Sequence, residues 1–114
     1  MSKPYNGHAN YETWAVKLWM DNDSGSYDHY QEVSDEVVRR VADGEGNEFA
    51  GTSEDRERIM LAEILKAEHE EGAEAFMANQ ASVYADLMNA ALSEVDWYEI
   101  AQSLLDEAHE REAA

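Results

Sequence analysis

Apolar residues recur at helical spacing in several separate stretches of this chain, and none of the stretches shows the alternation of a strand. Gaps of three and four residues place the apolar side chains of each stretch on one face of a helix. Glycines at 25, 44 and 72 mark breaks between the stretches. The pattern predicts an all-α fold: a compact single domain of five or six helices, spanning residues 1–114 with an N-terminal arm at 1–9.

The first predicted helix has Asn10 as its N-cap and ends near Asn22. Its apolar residues repeat at intervals of three and four, which predicts that they form the buried face: Tyr11, Trp14, Ala15, Leu18 and Trp19. The second predicted helix covers Tyr27 to Ala42. It presents Tyr27, Tyr30, Val33, Val37, Val38 and Val41 to the core.

The third predicted helix follows the cap sequence at Thr52 and ends near Glu71, because Gly72 is expected to break it. Its predicted core residues are Met60, Leu61, Ile64 and Leu65. We expect Phe49, in the preceding connector, to pack back on the core.

The stretch from Ala73 to Ala91 predicts one helix or two short ones, with six side chains facing inward: Phe76, Met77, Val83, Tyr84, Leu87 and Met88. The last helix begins at a capping box, since Asp96 can cap it and Glu99 can reach back. Its predicted core residues are Trp97, Ile100, Ala101, Leu104 and Leu105.

The chain carries 26 acidic residues against 8 Lys and Arg, which gives a formal net charge of −18. From Ala67 onward there are twelve acids and a single base, Arg111, so this portion holds eleven of the eighteen net negative charges. Like charges at this density repel one another and oppose the compact state. The acidity is therefore concentrated in the C-terminal portion, where it predicts a negatively charged surface.

The charge excludes some partners. Binding to nucleic acid or to anionic lipid depends on Lys and Arg, so we expect neither direct nucleic-acid binding nor membrane binding. No stretch has the length or apolarity of a signal peptide or a membrane span, which predicts a cytoplasmic protein, in the host cytoplasm if a phage encodes it. The absence of cysteine excludes disulfides and thiolate chemistry.

The residues show no catalytic constellation, so we predict a non-enzymatic protein with no cofactor. The four histidines, at 8, 29, 69 and 109, are far apart and predicted to be solvated. One alternative is calcium, because Asp21, Asp23 and Glu32 occupy positions 1, 3 and 12 of an EF-hand-like loop. Gly25 lies one place too early, so a helix cap is the preferred interpretation and no metal site is predicted.

The remaining signal is the acid pattern. Residues three and four apart on a helix lie about 5–6 Å apart, so the acids form rows of carboxylates with a spacing comparable to that of nucleic-acid phosphates. The predicted partner-binding surface consists of Glu68, Glu70, Glu71, Glu74, Asp106, Glu107 and Glu110. A second candidate surface consists of Asp28, Glu32, Asp35 and Glu36.

Two segments resemble a known group of proteins. One is Asn10-Tyr11-Glu12-Thr13-Trp14 with Leu18-Trp19 and Asp21-Asn22-Asp23 after it; the other is Trp97-Tyr98-Glu99-Ile100-Ala101. Together they resemble small phage and mobile-element proteins of unknown function. The resemblance implies no catalytic or binding residue. By class analogy, small acidic phage proteins inhibit host defence by occupying DNA-binding surfaces, as anti-restriction and anti-CRISPR proteins do.

The leading hypothesis is therefore an inhibitor that mimics nucleic-acid phosphates. Its partner would be a basic nucleic-acid-binding protein or complex, either a CRISPR effector or a restriction enzyme. The alternatives are a structural or regulatory protein–protein interaction module, which could be a homodimer, with charge serving solubility, and a halophile's acidic surface. We expect the three tryptophans to be buried, with the two matched segments packed against each other.

Overall fold

The computed structural model describes residues 3–77 and 81–113. In these residues the chain folds into five α-helices: α1 (Tyr11–Asn22), α2 (Ser24–Ala42), α3 (Ser53–Phe76), α4 (Val83–Ser93) and α5 (Trp97–Ala113). The prediction of a compact all-α domain is confirmed, with five helices. No helix of the described part is long and apolar enough to span a membrane.

Side-chain caps define where the helices start. Asn10 accepts a hydrogen bond from the backbone N–H of Thr13, as predicted, and Thr52 and Ser82 cap α3 and α4 in the same way. Asp96 accepts from the backbone N–H of Glu99 at 3.1 Å, which confirms half of the predicted capping box. Each cap satisfies one of the N–H groups that a helix leaves without an internal partner.

The core lies between α2, α3 and α5. Buried residues include Val37 and Val41 of α2, Leu61 and Leu65 of α3, and Ile100 of α5. All five predicted core residues of α5 are buried. Helices α3 and α5 run antiparallel, because the start of α3 contacts the end of α5 through Glu57 and His109, while His69 lies against Trp97.

The predicted buried face of α1 is wrong. The residues that α1 buries are Thr13, Lys17 and Met20, whereas Tyr11 and Leu18 are exposed and Trp19 is 72% exposed. Polar contacts set which face of α1 is buried. The Thr13 hydroxyl accepts a hydrogen bond from the backbone N–H of Asp96 at 2.8 Å. The aromatic stripe consequently faces outward, with Trp14 half-buried.

Helices α3 and α4 also differ from the prediction. Gly72 does not break α3, which continues to Phe76; a glycine inside a helix costs only about 1 kcal/mol relative to alanine. Four side chains predicted to face inward are exposed: Phe76, Val83, Tyr84 and Leu87. Residues 78–80 of the predicted Ala73–Ala91 helix lie outside the described residues.

The connector before α3 and the start of α2 supply two further corrections. Phe49 is 89% exposed and does not pack on the core. Tyr27 is also exposed, and α2 begins earlier than predicted, at Ser24. Tyr30 and Val33 are partly buried and pack against the core.

The N-terminal arm is ordered by a tight turn. Tyr5 and His8 exchange backbone hydrogen bonds of 2.8 and 3.0 Å, and Asn6 and Gly7 between them both have positive φ angles, of 46° and 82°. Two central residues with positive φ are the signature of a type I′ turn, which Asn-Gly favours. The turn places the Tyr5 ring against Trp14, with centroids 4.9 Å apart.

Candidate functional site

The basic residues of this protein are largely committed to ion pairs within the molecule. Lys17 is buried, with its Nζ 2.7 Å from Asp21 and 3.8 Å from Glu107. The other pairs are Arg39 with Glu36, Arg40 with Glu45, Arg58 with Asp55 and Arg111 with Asp35. These pairs lie on α1, α2, α5, the first turns of α3 and the residues after α2. Among the described residues, none of these five bases pairs with an acid in the last two turns of α3.

Three acids near the C-terminal end of α3 form a negative patch on the described surface, and the nearest base along the helix is Lys66, one turn before Glu70. Glu70, Glu71 and Glu74 are exposed, and in residues 3–77 and 81–113 none of the three has an ion-pair partner. Glu70 and Glu74 border a groove of about 430 Å³ between α3 and α4, whose other side includes Asp86 of α4. We call Glu70, Glu71, Glu74 and Asp86 the acidic end.

The predicted acids of α5 lie elsewhere. Asp106 accepts a hydrogen bond from the Gln102 side chain at 3.0 Å, Glu107 faces Lys17, and Glu110 is exposed. Because His109 lies beside Glu57 at the start of α3, these acids are roughly 20 Å along the helix axes from Glu70. The structure does not bring the two halves of the predicted surface together.

Glu68 occupies a third position, between α3 and α2. Its Oε1 lies 3.0 Å from Nε2 of His29. Burial raises the pKa of Tyr30 to about 12, and the charge of Glu68 and a hydrogen bond to it add to the effect. Glu68 therefore takes part in helix packing, whereas its neighbours at the acidic end face solvent.

The second candidate surface follows the outer face of α2. All four of its acids are exposed, but two have internal partners: Arg111 binds Asp35 at 2.9 Å and Arg39 binds Glu36. Asp28 and Glu32 have no ion-pair partner among the described residues. This face is accordingly less negative than the acidic end.

The two segments that the sequence singles out are joined by a polar network. Asn10 donates to the backbone carbonyl of Glu94 at 2.5 Å, and Thr13 donates to Asn10 at 2.7 Å. The Glu99 carboxylate accepts from the backbone N–H of Ala9 and lies 2.7 Å from Nδ1 of His8. The expectation that these segments pack together is confirmed, although polar contacts rather than three buried tryptophans join them.

The sequence of the chain matches one known protein family. A family model, described as a family of unknown function (DUF7249), matches residues 1–109. The chain belongs to this family. No curated protein and no solved structure matches it.

Membership of DUF7249 assigns no chemical role to any residue, so the roles of the histidines are inferred from their contacts. Three of them pair with a glutamate of another element: His8 with Glu99, His29 with Glu68 and His109 with Glu57. His69 instead lies between the rings of Tyr30 and Trp97, at 5.8 and 5.0 Å. The sequence predicts solvated histidines and misses these contacts, because their partners are distant in the chain.

The calcium alternative is not supported by the local structure of this DUF7249 chain. An EF-hand requires a twelve-residue loop, but α2 starts at Ser24 and runs through Glu32. Asp23 instead caps α2, accepting from the backbone N–H of Ser26 at 3.3 Å and from its hydroxyl at 2.7 Å. In the described residues no three His, Asp or Glu side chains are grouped to hold a metal ion.

Sequence reasoning missed a third candidate surface, the aromatic face of α1. The rings of Tyr5, Tyr11 and Trp14 pack on one another with centroids 4.9–5.4 Å apart, and Trp19 stands exposed on the same helix. Exposed aromatic side chains are frequent anchors in protein interfaces. The signal was present in the sequence, but helical spacing alone does not distinguish a buried stripe from an exposed one.

Proposed function

We propose that this protein is a non-enzymatic inhibitor that presents carboxylates in place of nucleic-acid phosphates. Its target would be the basic groove of a nucleic-acid-binding protein in a host defence complex, a CRISPR effector or a restriction enzyme. One observation carries the proposal: Arg111, the single base after Lys66, faces Asp35 of α2, and among the described residues the acids of the acidic end form no ion pair.

The geometry of the acidic end suits such a target. Glu74 lies four residues from Glu70 and three from Glu71 on one helix, so its Cβ atom is about 5–6 Å from that of each. Asp86 adds a carboxylate from a different helix across the groove. Arg side chains in a phosphate-binding groove can bind carboxylates with the same two-pronged geometry.

Electrostatic attraction would also act before contact. A net charge of −18 steers the protein toward a basic groove and raises the association rate, an effect that salt weakens. The same charge opposes binding to DNA itself or to anionic lipid. Such a target implies a cytoplasmic site of action, within the host if a phage encodes the protein.

The proposal is tested by charge reversal. Tagged wild-type protein and the triple variant Glu70→Lys, Glu71→Lys, Glu74→Lys are used to capture proteins from a host lysate, which are identified by mass spectrometry. A control variant, Asp43→Lys, Glu48→Lys, Glu54→Lys, changes the net charge equally but lies at the start of α3 and before it. We expect wild type and control to retain a nucleic-acid-binding protein that free DNA displaces, and the triple variant to lose it.

Two results would contradict the proposal. One is capture of the same target by the triple variant, with circular dichroism showing that all three proteins are equally helical. The other is a target that DNA does not displace.

The aromatic face of α1 favours a second candidate function, a protein–protein interaction module whose charge serves solubility. Trp19 and Tyr11 are more than half exposed, and a mainly apolar contact through them would change little with salt. Replacing both with alanine would then abolish capture, while the reversal at Glu70, Glu71 and Glu74 would leave it intact.

A further inference from the structure

Helix α4 carries an apolar face that nothing in the described structure covers. Val83, Leu87 and Ala91 lie four residues apart along this face, flanked by Tyr84 and Ala90, and all five are exposed. No residue of α4 is buried, although its inner side packs against α3. An uncovered apolar face of this length on a small acidic protein indicates an interaction surface.

The charge pattern of α4 supports this interpretation. Charged residues make up 30% of the chain, but among the eleven residues of α4 Asp86 is the single charged one, and it lies beside the groove, at the edge of the apolar face. Depletion of charge and enrichment in Tyr and Met distinguish the centre of a protein interface from ordinary surface.

We propose that the α4 face binds the α4 face of a second copy of this chain, forming an antiparallel pair about a two-fold axis at Leu87. The largest side chain of the face, Tyr84, lies beside Val83 at its N-terminal end, Leu87 lies at its centre, and the small Ala90 and Ala91 lie at its C-terminal end. In an antiparallel pair the large end of one helix meets the small end of the other, so the surfaces fit along their whole length. A parallel pair would place large against large.

The apolar area that each copy exposes limits the size of the dimer interface. Phe76 ends α3 and Val83 begins α4, so both lie at the same end of this helical hairpin, and Phe76 is 80% exposed. An aromatic side chain offers about 150–250 Å². Phe76, Val83, Tyr84 and Leu87 together therefore expose roughly 400–500 Å² per copy, so two copies approach the ~1,000 Å² at which specific interfaces begin.

The surrounding acids make the association depend on salt. A dimer brings two chains of charge −18 together, with Glu74 and Asp86 beside the interface. Raising salt from about 0.1 M to about 1 M shortens the screening length from about 10 Å to about 3 Å. Dimerisation should therefore strengthen as the salt concentration rises, whereas binding of the acidic end to its proposed target should weaken. The two proposals do not depend on each other.

Sedimentation velocity at increasing protein concentration, in about 0.1 M and about 1 M NaCl, tests the dimer. Wild type should shift from monomer to dimer, more readily at high salt. Leu87→Glu should weaken the dimer about tenfold or more, as expected for a central interface residue. The matched control Phe49→Glu places the same charge at another exposed apolar site and should dimerise like wild type. A wild-type monomer under every condition, or a Leu87→Glu dimer of unchanged strength, would overturn the proposal.

Disulfide trapping tests the orientation, since the chain has no cysteine of its own. Leu87→Cys should crosslink to itself under mild oxidation, because residues on the axis fall within the few ångströms that a disulfide spans. Val83→Cys should crosslink to Ala91→Cys when the two variants are mixed. Self-crosslinking of Val83→Cys alone, with no mixed product, would overturn the antiparallel pairing.

Discussion

Nε2 of His109 lies 2.9 Å from the buried carboxylate of Glu57, and this contact joins the end of α5 to the start of α3. A second carboxylate, Glu112, is 3.3 Å from Nδ1 of the same ring. The hydrogen bond to Glu57 raises the pKa of His109 above its ordinary value of 6.5, although partial burial opposes the rise. The protonated histidine thus supplies a cation between helices in a chain that has few Lys and Arg.

The His109 contact predicts that stability falls as pH rises. Because the folded pKa is above the unfolded value, the contribution is complete below about pH 6.5 and is lost as pH rises through the folded pKa. At pH 6 the variant His109→Gln should be about 1 kcal/mol less stable than wild type. Thermal unfolding from pH 6 to 9 should show the difference shrinking, and a constant difference would contradict the prediction.

The hydroxyl of Thr13 should be essential for docking α1. The residue is fully buried, accepts from the backbone N–H of Asp96 and donates to Asn10. Thr13→Val keeps the shape but leaves buried polar groups unpaired, which we expect to cost about 2–3 kcal/mol. Thr13→Ser retains the hydroxyl and should cost less. Urea unfolding of the three proteins measures the difference, and equal losses in both variants would assign the effect to packing instead.

The contrast between α5 and α1 shows what the sequence could predict. In α5 the capping residue and the apolar spacing agree, and all of its predicted core residues are buried. In α1 the capping residue is again correct, but the apolar spacing selects the Trp19 face, while Thr13 and Lys17 are drawn inward by Asp96 and Glu107. Those partners are more than eighty residues away in the chain, so the apolar periodicity of the helix cannot predict contacts with them.

The candidate site was predictable only in part, for the same reason. Solvent exposure of Glu70, Glu71 and Glu74 follows from charge and helical position. The separation of Glu70 from Glu110 does not, because it results from the antiparallel packing of α3 and α5. Neutralisation of Asp35 likewise depends on Arg111, which lies 76 residues further along the chain.

The tryptophans should differ sharply in their contribution to stability. Trp97 is 7% exposed and lies in the core, so Trp97→Ala should cost about 3–5 kcal/mol. Trp19 is 72% exposed, and we expect Trp19→Ala to change the free energy of unfolding by about 0.5 kcal/mol or less. Acrylamide quenching of fluorescence should fall when Trp19 is replaced by phenylalanine. If acrylamide failed to quench the exposed part of the wild-type fluorescence, Trp19 would lie in an interface.

The acidic end and the α5 acids should act independently on the proposed target. Glu70 and Glu110 are separated by roughly 20 Å along the helix axes, more than the screening length of about 8 Å at physiological salt. Reversing Glu70, Glu71 and Glu74 should therefore abolish tight binding and flatten its dependence on salt. Reversing Asp106 and Glu110 should mainly slow association. Binding kinetics from about 0.05 M to 0.3 M NaCl separate these effects, and an equal or greater loss in the α5 variant would move the contact surface to α5.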